Sequence, residues 1–533
     1  QDTVCASDPA SPLSPAPRPL RTSRDCRTRR QRQWCWWRGA MAQPPDPPPA
    51  PGGATAIADA EADPPTPVAI VARLAVRQAY RRAAGQAKQR AVLLLGGYRP
   101  KFQALDRHFG VHGKQAVMVD PRVAPNADVL VDFLDAHGIS VEYAVPLIDA
   151  AVCIADILNT RLRGLANDPA TSSLRRDKYE QQEALRRAGL PAAAQRSATR
   201  AEEAVRFLAE AVEGRGSDVG GCSGEEEAPT RVVVKPRDSS GGDGICLCRS
   251  EAEIRASFER ELGRVNMEGG TNKDLIVMEA LEGEEWVVNT VSLLGVHKVT
   301  DAWRGPPKVV LEGEGGAQFV YTAQFLAEEH PRRAAVLEYT FACLDALGVQ
   351  NGAAHTELIW TALGPRLLEV NARPAGGLPR TPRSPNQLEA LAMSLYDADR
   401  FLSLPIVPAG AAADDGHGEG QSAAVVFLRA PFNGYILGTA LQQIVSLRTF
   451  GRFERDAIGL VRFAEAAPGA GPPPPPSPVA ALAVVRTTSL FTSPGAVVLL
   501  GAAATVEEDA EAIRAIEAIA YSETYPAEDV VFN

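Results

Sequence analysis

Long apolar runs are missing from this chain. An α-helix needs ~20 consecutive apolar residues to span a bilayer, and the best runs, such as Ala91–Leu95, fall far short. A membrane protein is therefore not expected. Cysteine is sparse, eight in 533 residues, with no repeating spacing. Cys246 and Cys248 stand close together, but no second pair completes a zinc-type set. The bland reading is reduced thiols in a reducing compartment, which fits a cytoplasmic protein. Histidine numbers only seven and HExxH does not occur, which leaves little for a zinc hydrolase. Positive charge is also short: 55 Lys and Arg against 65 Asp and Glu, a net −10, argue against nucleic-acid binding as the main role. What is present is 45% apolar residues, enough for a sizeable core, and length for about three or four domains.

Residues 1–66 read as a disordered leader. Its first part carries Arg18, Arg21, Arg24, Arg27, Arg29, Arg30, Arg32 and Arg38 against Asp2, Asp8 and Asp25. Arg- and Ser-rich, acid-poor composition is that of an organelle transit peptide. Against this, the chain opens on Gln1, and Met41-Ala-Gln-Pro makes a plausible start. Residues 1–40 stand either as a transit peptide, which would place the protein in an organelle, or as non-native upstream sequence.

Beyond residue 67 periodicity takes over. A helix at Ala69–Ala83 is followed by strands at Ala91–Leu95, Gln115–Val119 and Ser140–Tyr143. Helices at Phe102–Phe109, Ala127–Ala136 and Ala150–Arg163 alternate with them, giving a small α/β domain over 67–166. A central domain is expected over 167–405. Its helices are Arg176–Ala188, Ala201–Val212, Glu251–Arg264 and Arg332–Leu347. Its strands are Arg231–Lys235 and Leu275–Glu279, and a hairpin, Glu285–Leu293 with His297–Trp303, turns at Leu-Gly. Residues 213–229, rich in Gly, Ser and Glu, read as a surface insertion. After a Gly/Ala/Asp linker, residues 406–533 read as an α+β domain with strands at Ala423–Leu428 and Val497–Leu500 and a helix at Glu508–Ala520. Its insertion, 466–478, is proline-rich.

The stretch from His355 to Arg373 carries the chemistry. Two β-type runs flank Leu363-Gly364-Pro365, so a hairpin is expected. With its centre at Leu363, Glu357 and Glu369 lie opposite each other, ~5 Å apart at Cβ. Alternation puts Glu369, Asn371 and Arg373 on one face with His355 and Glu357, and Leu358, Trp360, Leu368 and Val370 on the other. Opposed carboxylates repel unless a cation lies between them. Two carboxylates and an amide oxygen suit Mg²⁺ bound together with phosphates, and the arginine suits phosphate or an anionic intermediate. A solvated outer face of an edge hairpin explains the same residues when they are taken alone.

A second site stands apart from the first. Val232-Val-Val-Lys235 runs into Pro-Arg-Asp-Ser-Ser240-Gly-Gly-Asp-Gly244, an apolar strand ending in lysine before a glycine-rich loop. Small residues let backbone N–H groups approach phosphates, and lysine adds a point charge. The spacing is neither that of a P-loop nor that of a dinucleotide-binding fingerprint.

Taken together, these pieces resemble the ATP-grasp superfamily of carboxylate–amine ligases, in the biotin-carboxylase-like branch that includes L-amino-acid (dipeptide) ligases. They occur in the family's order across about residues 90–400: Arg-Asp-Lys178, Lys235 with its loop, Met-Glu279-Ala-Leu281, Gly283-Glu-Glu285, then Glu357 and Glu369-Val-Asn371-Ala-Arg373. The resemblance implies an α/β fold in three parts: an α/β pre-ATP-grasp domain, a two-lobed ATP-grasp core, and a C-terminal α+β domain. It further implies ATP and Mg²⁺, or Mn²⁺, as cofactors. Lys178 and Lys235 are similar to the lysines on the ATP phosphates, and Ser240, Gly241 and Gly242 to a mobile flap. Glu279 with the backbone of Ala280 and Leu281 resembles the adenine hinge, and Glu285 the ribose contact. Glu357, Glu369 and Asn371 resemble the metal ligands, and Arg373 the transition-state arginine. Gly376 and Gly377 resemble the loop beside the acyl acceptor.

The activity implied is ATP-dependent amide formation through an acylphosphate, on small carboxylate and amine substrates, with ADP and phosphate released. His355 stands as a candidate substrate-site residue or base, with a structural histidine as the alternative; whether the protein forms a homodimer is left open. Two rivals are a biotin-dependent carboxylase and a non-catalytic nucleotide-binding regulator. Arg373 is followed by Pro-Ala-Gly-Gly with no Glu-His, and no lysine-centred biotinyl motif occurs, which disfavours the first. The retained phosphate and metal residues weigh against the second.

Overall fold

The computed structural model describes residues 91–96, 99–120, 126–162, 164–218, 231–311, 316–376, 380–381, 383–408, 421–454, 482–488 and 492–523. The leader, the helix expected at Ala69–Ala83, Gly377, most of the insertion at 213–229 and the proline-rich insertion at 466–478 lie outside them.

Continuous apolar runs mark strands buried on both faces, and the first of these is β1 (Ala91–Leu95). With α1 (Arg99–Val111), β2 (Ala116–Val119), α2 (Ala127–Ala136), β3 (Val141–Pro146) and α3 (Val152–Arg161) it builds a parallel sheet of order β2-β1-β3. Asn126 caps α2 by accepting from the Val129 N–H. Helix α4 (Lys178–Arg187) opens at Asp177, whose carboxylate accepts from the Tyr179 and Glu180 N–H groups. Lys178 is thus held at the first helical position.

A four-stranded antiparallel sheet follows, of order β4-β7-β5-β6. Its strands are β4 (Gln195–Ala198), β5 (Val232–Pro236), β6 (Cys246–Cys248) and β7 (Leu275–Glu279), and it carries α5 (Ala201–Asp218) and α6 (Glu251–Glu261). Helix α5 runs past the Val212 expected as its end and takes the first residues of the supposed insertion into its last turns. Strand alternation sorts the side chains: Val232, Val234, Leu275 and Val277 pack against the helices, whereas Ile276 and Met278 face the other way. Lys235 follows Val233 onto that second face.

The large antiparallel sheet has the order β14-β13-β8-β9-β12-β15-β19-β17. Strands β8 (Glu284–Leu293) and β9 (Val296–Gly305) pair through the expected Leu294-Gly295 turn, whose φ values of 52° and 80° are those of a tight two-residue hairpin. A small ladder, β10 (Val309–Leu311) with β11 (Gln318–Val320), precedes β12 (Ala323–Leu326) and α7 (Arg333–Ala346). Strands β13 (Gly352–Thr361) and β14 (Gly364–Asn371) form the chemistry-bearing hairpin. Trp286, Val288, Leu358, Leu367 and Val370 pack against α7 and α4 on one face. Helices α8 (Gln387–Tyr396) and α9 (Ala398–Ser403) close the parallel sheet's core against Phe109, Val92 and Leu94.

Strands β15 (Gln421–Phe427), β17 (Phe450–Glu454) and β19 (Ala496–Ala502) extend the large sheet through the β12–β15 pairing, so residue 406 is not a break in the sheet. They carry their own core with α10 (Gly438–Val445) and α11 (Ala503–Glu517). Strands β16 (Gly434–Ile436), β18 (Leu482–Val484) and β20 (Tyr521–Ser522) make a small side sheet. The last helix starts earlier than expected, at Ala503. Among the described residues no helix is long and apolar enough to cross a membrane.

One expectation about the hairpin needs correction. The turn is two residues, with Thr361 paired to Gly364, so the hairpin is centred before Leu363 rather than on it. A register shift between Glu357 and Leu358 then restores the Glu357–Glu369 pairing. The extra residue is Leu368, and a bulge of this kind turns a side chain to the other face. Leu367, not Leu368, therefore joins Val370 in the core below. Leu368 packs with Tyr179, Leu281 and Met278 in a separate cluster.

Candidate active site

The opposed carboxylates of Glu357 and Glu369 are both largely buried, and two lysines lie on their flanks. Lys178 Nζ is 2.8 Å from Glu369 Oε2, and Lys308 Nζ is 3.7 Å from Glu357 Oε2 and 2.8 Å from Glu285 Oε1. Asn371 donates its amide to Glu369 Oε1 at 3.2 Å, which leaves the amide oxygen as its remaining donor atom for a cation. Burial alone would raise the Glu369 pKa; Lys178, Asn371 and Lys235 outweigh it and hold the carboxyl at about 2. Glu357 is likewise lowered: burial opposes, but Lys308 and His355 prevail. Glu285 goes the other way, raised by burial despite Lys308.

Lys235 lies within electrostatic reach of Lys178, Glu369, Lys308 and Glu357. Burial first, and then Lys178, lower it to about 8, against the pull of Glu369. His355 Nδ1 lies 2.8 Å from Asn289 Oδ1, and its Nε2 lies 3.4 Å from Glu357 Oε1. Asn289 in turn donates to Asp301, which also accepts from the Trp303 indole. This buried chain fixes the His355 ring beside Glu357.

The glycine-rich loop needs its glycines: Gly241 and Gly242 sit at φ 62° and 85°. The Ser240 hydroxyl donates to Glu268, and Lys178 donates to the Ser239 carbonyl, which ties the loop to the carboxylate cluster. Glu279 accepts from the Ala194 N–H at 2.8 Å through one carboxylate oxygen. The Ala280 N–H is committed to the Arg231 carbonyl, so its carbonyl is what remains for a ligand. Leu281 lies half-buried beside Leu368 and Met278 as an apolar floor. Arg373 pairs with Asp149 at 2.6 Å; burial works against its charge, and Asp149 raises it above the ordinary value. Gly376 is exposed at the end of that segment.

Reading the sequence missed Lys308, Asp149, Lys101 and Glu268, and it put Leu368 on the wrong face. A charge count held the signal for Lys308. Four glutamates, Glu279, Glu285, Glu357 and Glu369, faced two lysines and Arg373 in the motif set, and buried carboxylates call for compensating cations.

Among the described residues no three His, Cys, Asp or Glu side chains converge on one point. The oxygen donors are two carboxylates and an amide, a set that fits Mg²⁺ completed by phosphates and water better than a closed protein cage.

Comparison with known proteins adds relatives. Residues 175–377 match the ATP-grasp domain family. Dapdiamide A synthase of Enterobacter agglomerans is 30% identical over 294 residues, which cover 52% of this chain and 64% of that protein. Phosphoribosylamine–glycine ligase of Rhodopirellula baltica is 25% identical over 274 residues, covering 49% and 59% respectively. The chain thus spans less than two thirds of the length of these curated relatives. The crystal structure of an L-amino acid ligase from Bacillus licheniformis shares the fold, with a TM-score of 0.53 at 14% identity over 81% of this chain and 98% of that one.

Proposed function

We propose that this chain, which carries an ATP-grasp domain at residues 175–377, is an ATP-dependent carboxylate–amine ligase. On this reading it joins amino-acid substrates through an acylphosphate and releases ADP and phosphate. The observation that carries the reading is the ionised Glu369 held 2.8 Å from Lys178 and opposite Glu357, within the field of Lys235. Such a cluster is built for polyphosphate.

Lys178 and Lys235 would hold the phosphates of ATP as point charges, in line with the carboxylate substrate. Glu357, Glu369 and the Asn371 oxygen would hold Mg²⁺, which when bound offsets charge on the bridging phosphates. Ser240, Gly241 and Gly242 would close over the phosphates with their backbone N–H groups once Ser240 leaves Glu268. Glu279, the Ala280 carbonyl and Leu281 would meet the adenine over the floor made by Leu368 and Met278. Glu285, held by Lys308, would face the ribose. Arg373 would stabilise the oxyanion formed as the amine attacks, with Gly376 beside the acceptor. His355 would keep Glu357 oriented.

The test is phosphate release from ATP and Mg²⁺ against a panel of single and paired amino acids. Release that requires particular amino acids supports the ligase. ATP binding with no release across the panel would favour a nucleotide-sensing protein instead.

Lys235 adds a pH prediction. Its ammonium is lost as pH rises through about 8, so affinity for a non-hydrolysable ATP analogue should fall above that pH, by up to about tenfold per unit. Titration calorimetry between pH 7 and 9 checks this. Lys235→Met should bind weakly throughout and show a flat profile over the same range; an equal slope in the variant would assign the titration to another group.

A further inference from the structure

Lys178 and Lys235 stand on different elements, the start of α4 and the end of β5, and Lys178 works against the charge on Lys235. Like charges do not come together unaided, so the two elements need a link of their own. The stem of the glycine-rich loop supplies one, because three successive carbonyls accept from the start of α4. The Arg237 carbonyl accepts from the Lys178 N–H at 3.0 Å, that of Asp238 from the Arg176 guanidinium, and that of Ser239 from the Lys178 ammonium.

The Arg237 side chain then turns back over the same helix start. Its Nε donates to Asp177 Oδ2 at 2.8 Å, its Nη2 to Glu180 Oε1 at 3.2 Å and its Nη1 to Asp274 Oδ2 at 2.9 Å. The guanidinium also lies over the Tyr179 ring, 4.9 Å from its centroid. It thus touches the residue before Lys178 and the two after it. Asp177 gives its other oxygen, Oδ1, to the cap of α4, so the arginine orients the group that holds the first helical turn. Asp274, just before β7, accepts in addition from the Ser197 hydroxyl on β4, which carries the clamp into the four-stranded sheet. A lone exposed ion pair would be worth little. Here one planar fork is shared among three carboxylates, and that fixes direction as well as charge. Burial works against the Arg237 charge, and Asp274 and Asp177 outweigh it. The clamp acts on the carboxylate cluster through Lys178, whose ammonium is 2.8 Å from Glu369 Oε2.

We propose that Arg237 is a positioning residue: its clamp on Asp177, Glu180 and Asp274 sets α4 against the glycine-rich loop, so that Lys178 and Lys235 present two ammoniums to one polyphosphate. This rests on the nucleotide-binding part of the reading above and is independent of which carboxylate and amine are joined. Arg237 acts through Lys178, and no bond forms at it.

The test is calorimetric binding of a non-hydrolysable ATP analogue with Mg²⁺, and of adenosine, to the full chain. Wild type, Arg237→Met, Arg237→Lys, Lys178→Met and the Arg237→Met/Lys178→Met double variant are compared. Arg237→Met should weaken the analogue about tenfold or more, the scale of losing a group that orients a ligand-binding residue, and leave adenosine unchanged. Arg237→Lys keeps the charge without the fork and should recover part of the loss. Because the effect runs through Lys178, adding Arg237→Met to Lys178→Met should cost little more. Should Arg237→Met fail to fold, Arg237→Lys decides on the same two ligands, with a loss confined to the analogue as the expected result. Equal losses on analogue and adenosine, full additivity in the double variant, or no loss in either Arg237 variant would overturn the positioning role. A wild type that binds no analogue would remove it as well. A loss selective for the analogue upholds the clamp even if no amino acid supports phosphate release, in which case only the ligase reading falls.

Discussion

Glu369→Gln should lower ATP-dependent phosphate release by about 10²–10³-fold or more, the scale seen when a group stabilising developing charge is removed. The substitution keeps the shape and removes the charge that Lys178 meets at 2.8 Å and that pulls against the burial of Lys235. Two nearly buried lysines then face only Glu357 and Glu285, both already answered by Lys308. An amide also binds a divalent cation far more weakly than a carboxylate does. Initial rates of phosphate release at saturating ATP, together with calorimetric ATP affinity at several Mg²⁺ concentrations, make the check. A rate within threefold of wild type would place the phosphate chemistry elsewhere. The sign of the pH effect is fixed by direction. The Glu369 carboxyl is held at about 2 in the folded protein, so its stabilising contribution is present above the ordinary glutamate range and is lost as pH falls toward 2. No titration of Glu369 should therefore shape the rate between pH 5 and 9.

How much of this was legible in the sequence differs by element. The pairing of Glu357 with Glu369 follows from simple counting along a hairpin, yet the turn is shorter than the count assumed, and the bulge at Leu368 restores the register. A bulge depends on what both faces must pack against, which alternation alone does not encode. Lys308 follows Pro306 and Pro307 and belongs to no periodic run, so only the folded sheet brings it to Glu285. Lys101 bonds a carbonyl 273 residues away, a contact that no local pattern reports. Helix α8 was missed for a different reason: Leu388, Ala390, Leu391, Ala392, Met393 and Leu395 are all buried. A helix apolar on every side shows no amphipathic period. That Lys178, Lys235, Glu357 and Glu369 lie together was readable because they sit on strands and a helix start, where spacing maps directly onto geometry.

Arg175→Met should destabilise the protein by about 3–5 kcal/mol, the usual effect of breaking a buried ion pair from one side. The Arg175 side chain is fully buried and meets Asp156 through Nε at 3.2 Å and Nη2 at 2.9 Å. Its other protons go to Thr171 Oγ1 and to the carbonyls of Asp168, Leu347 and Gly348. One guanidinium therefore joins α3, the turn before α4 and the end of α7. Asp156 keeps only Ser172 and Asn167 when the arginine is gone. Burial already raises the Asp156 pKa in the intact protein, and without Arg175 it should rise further. A folded-state carboxyl pKa above the unfolded value means that stability falls as pH rises through that window. The loss in Arg175→Met should thus be smaller near pH 5 than near pH 7.5. Adding Asp156→Leu should recover part of it, because the stranded charge is then removed as well. Urea melts of the single and double variants at both pH values would decide the matter, and a single-variant loss under about 1 kcal/mol would show that this network does not hold the elements together. The consequence reaches the active site. Arg175 lies three residues before Lys178, on the turn that sets the first turn of α4, so a loosened anchor should also weaken the grip of Lys178 on Glu369.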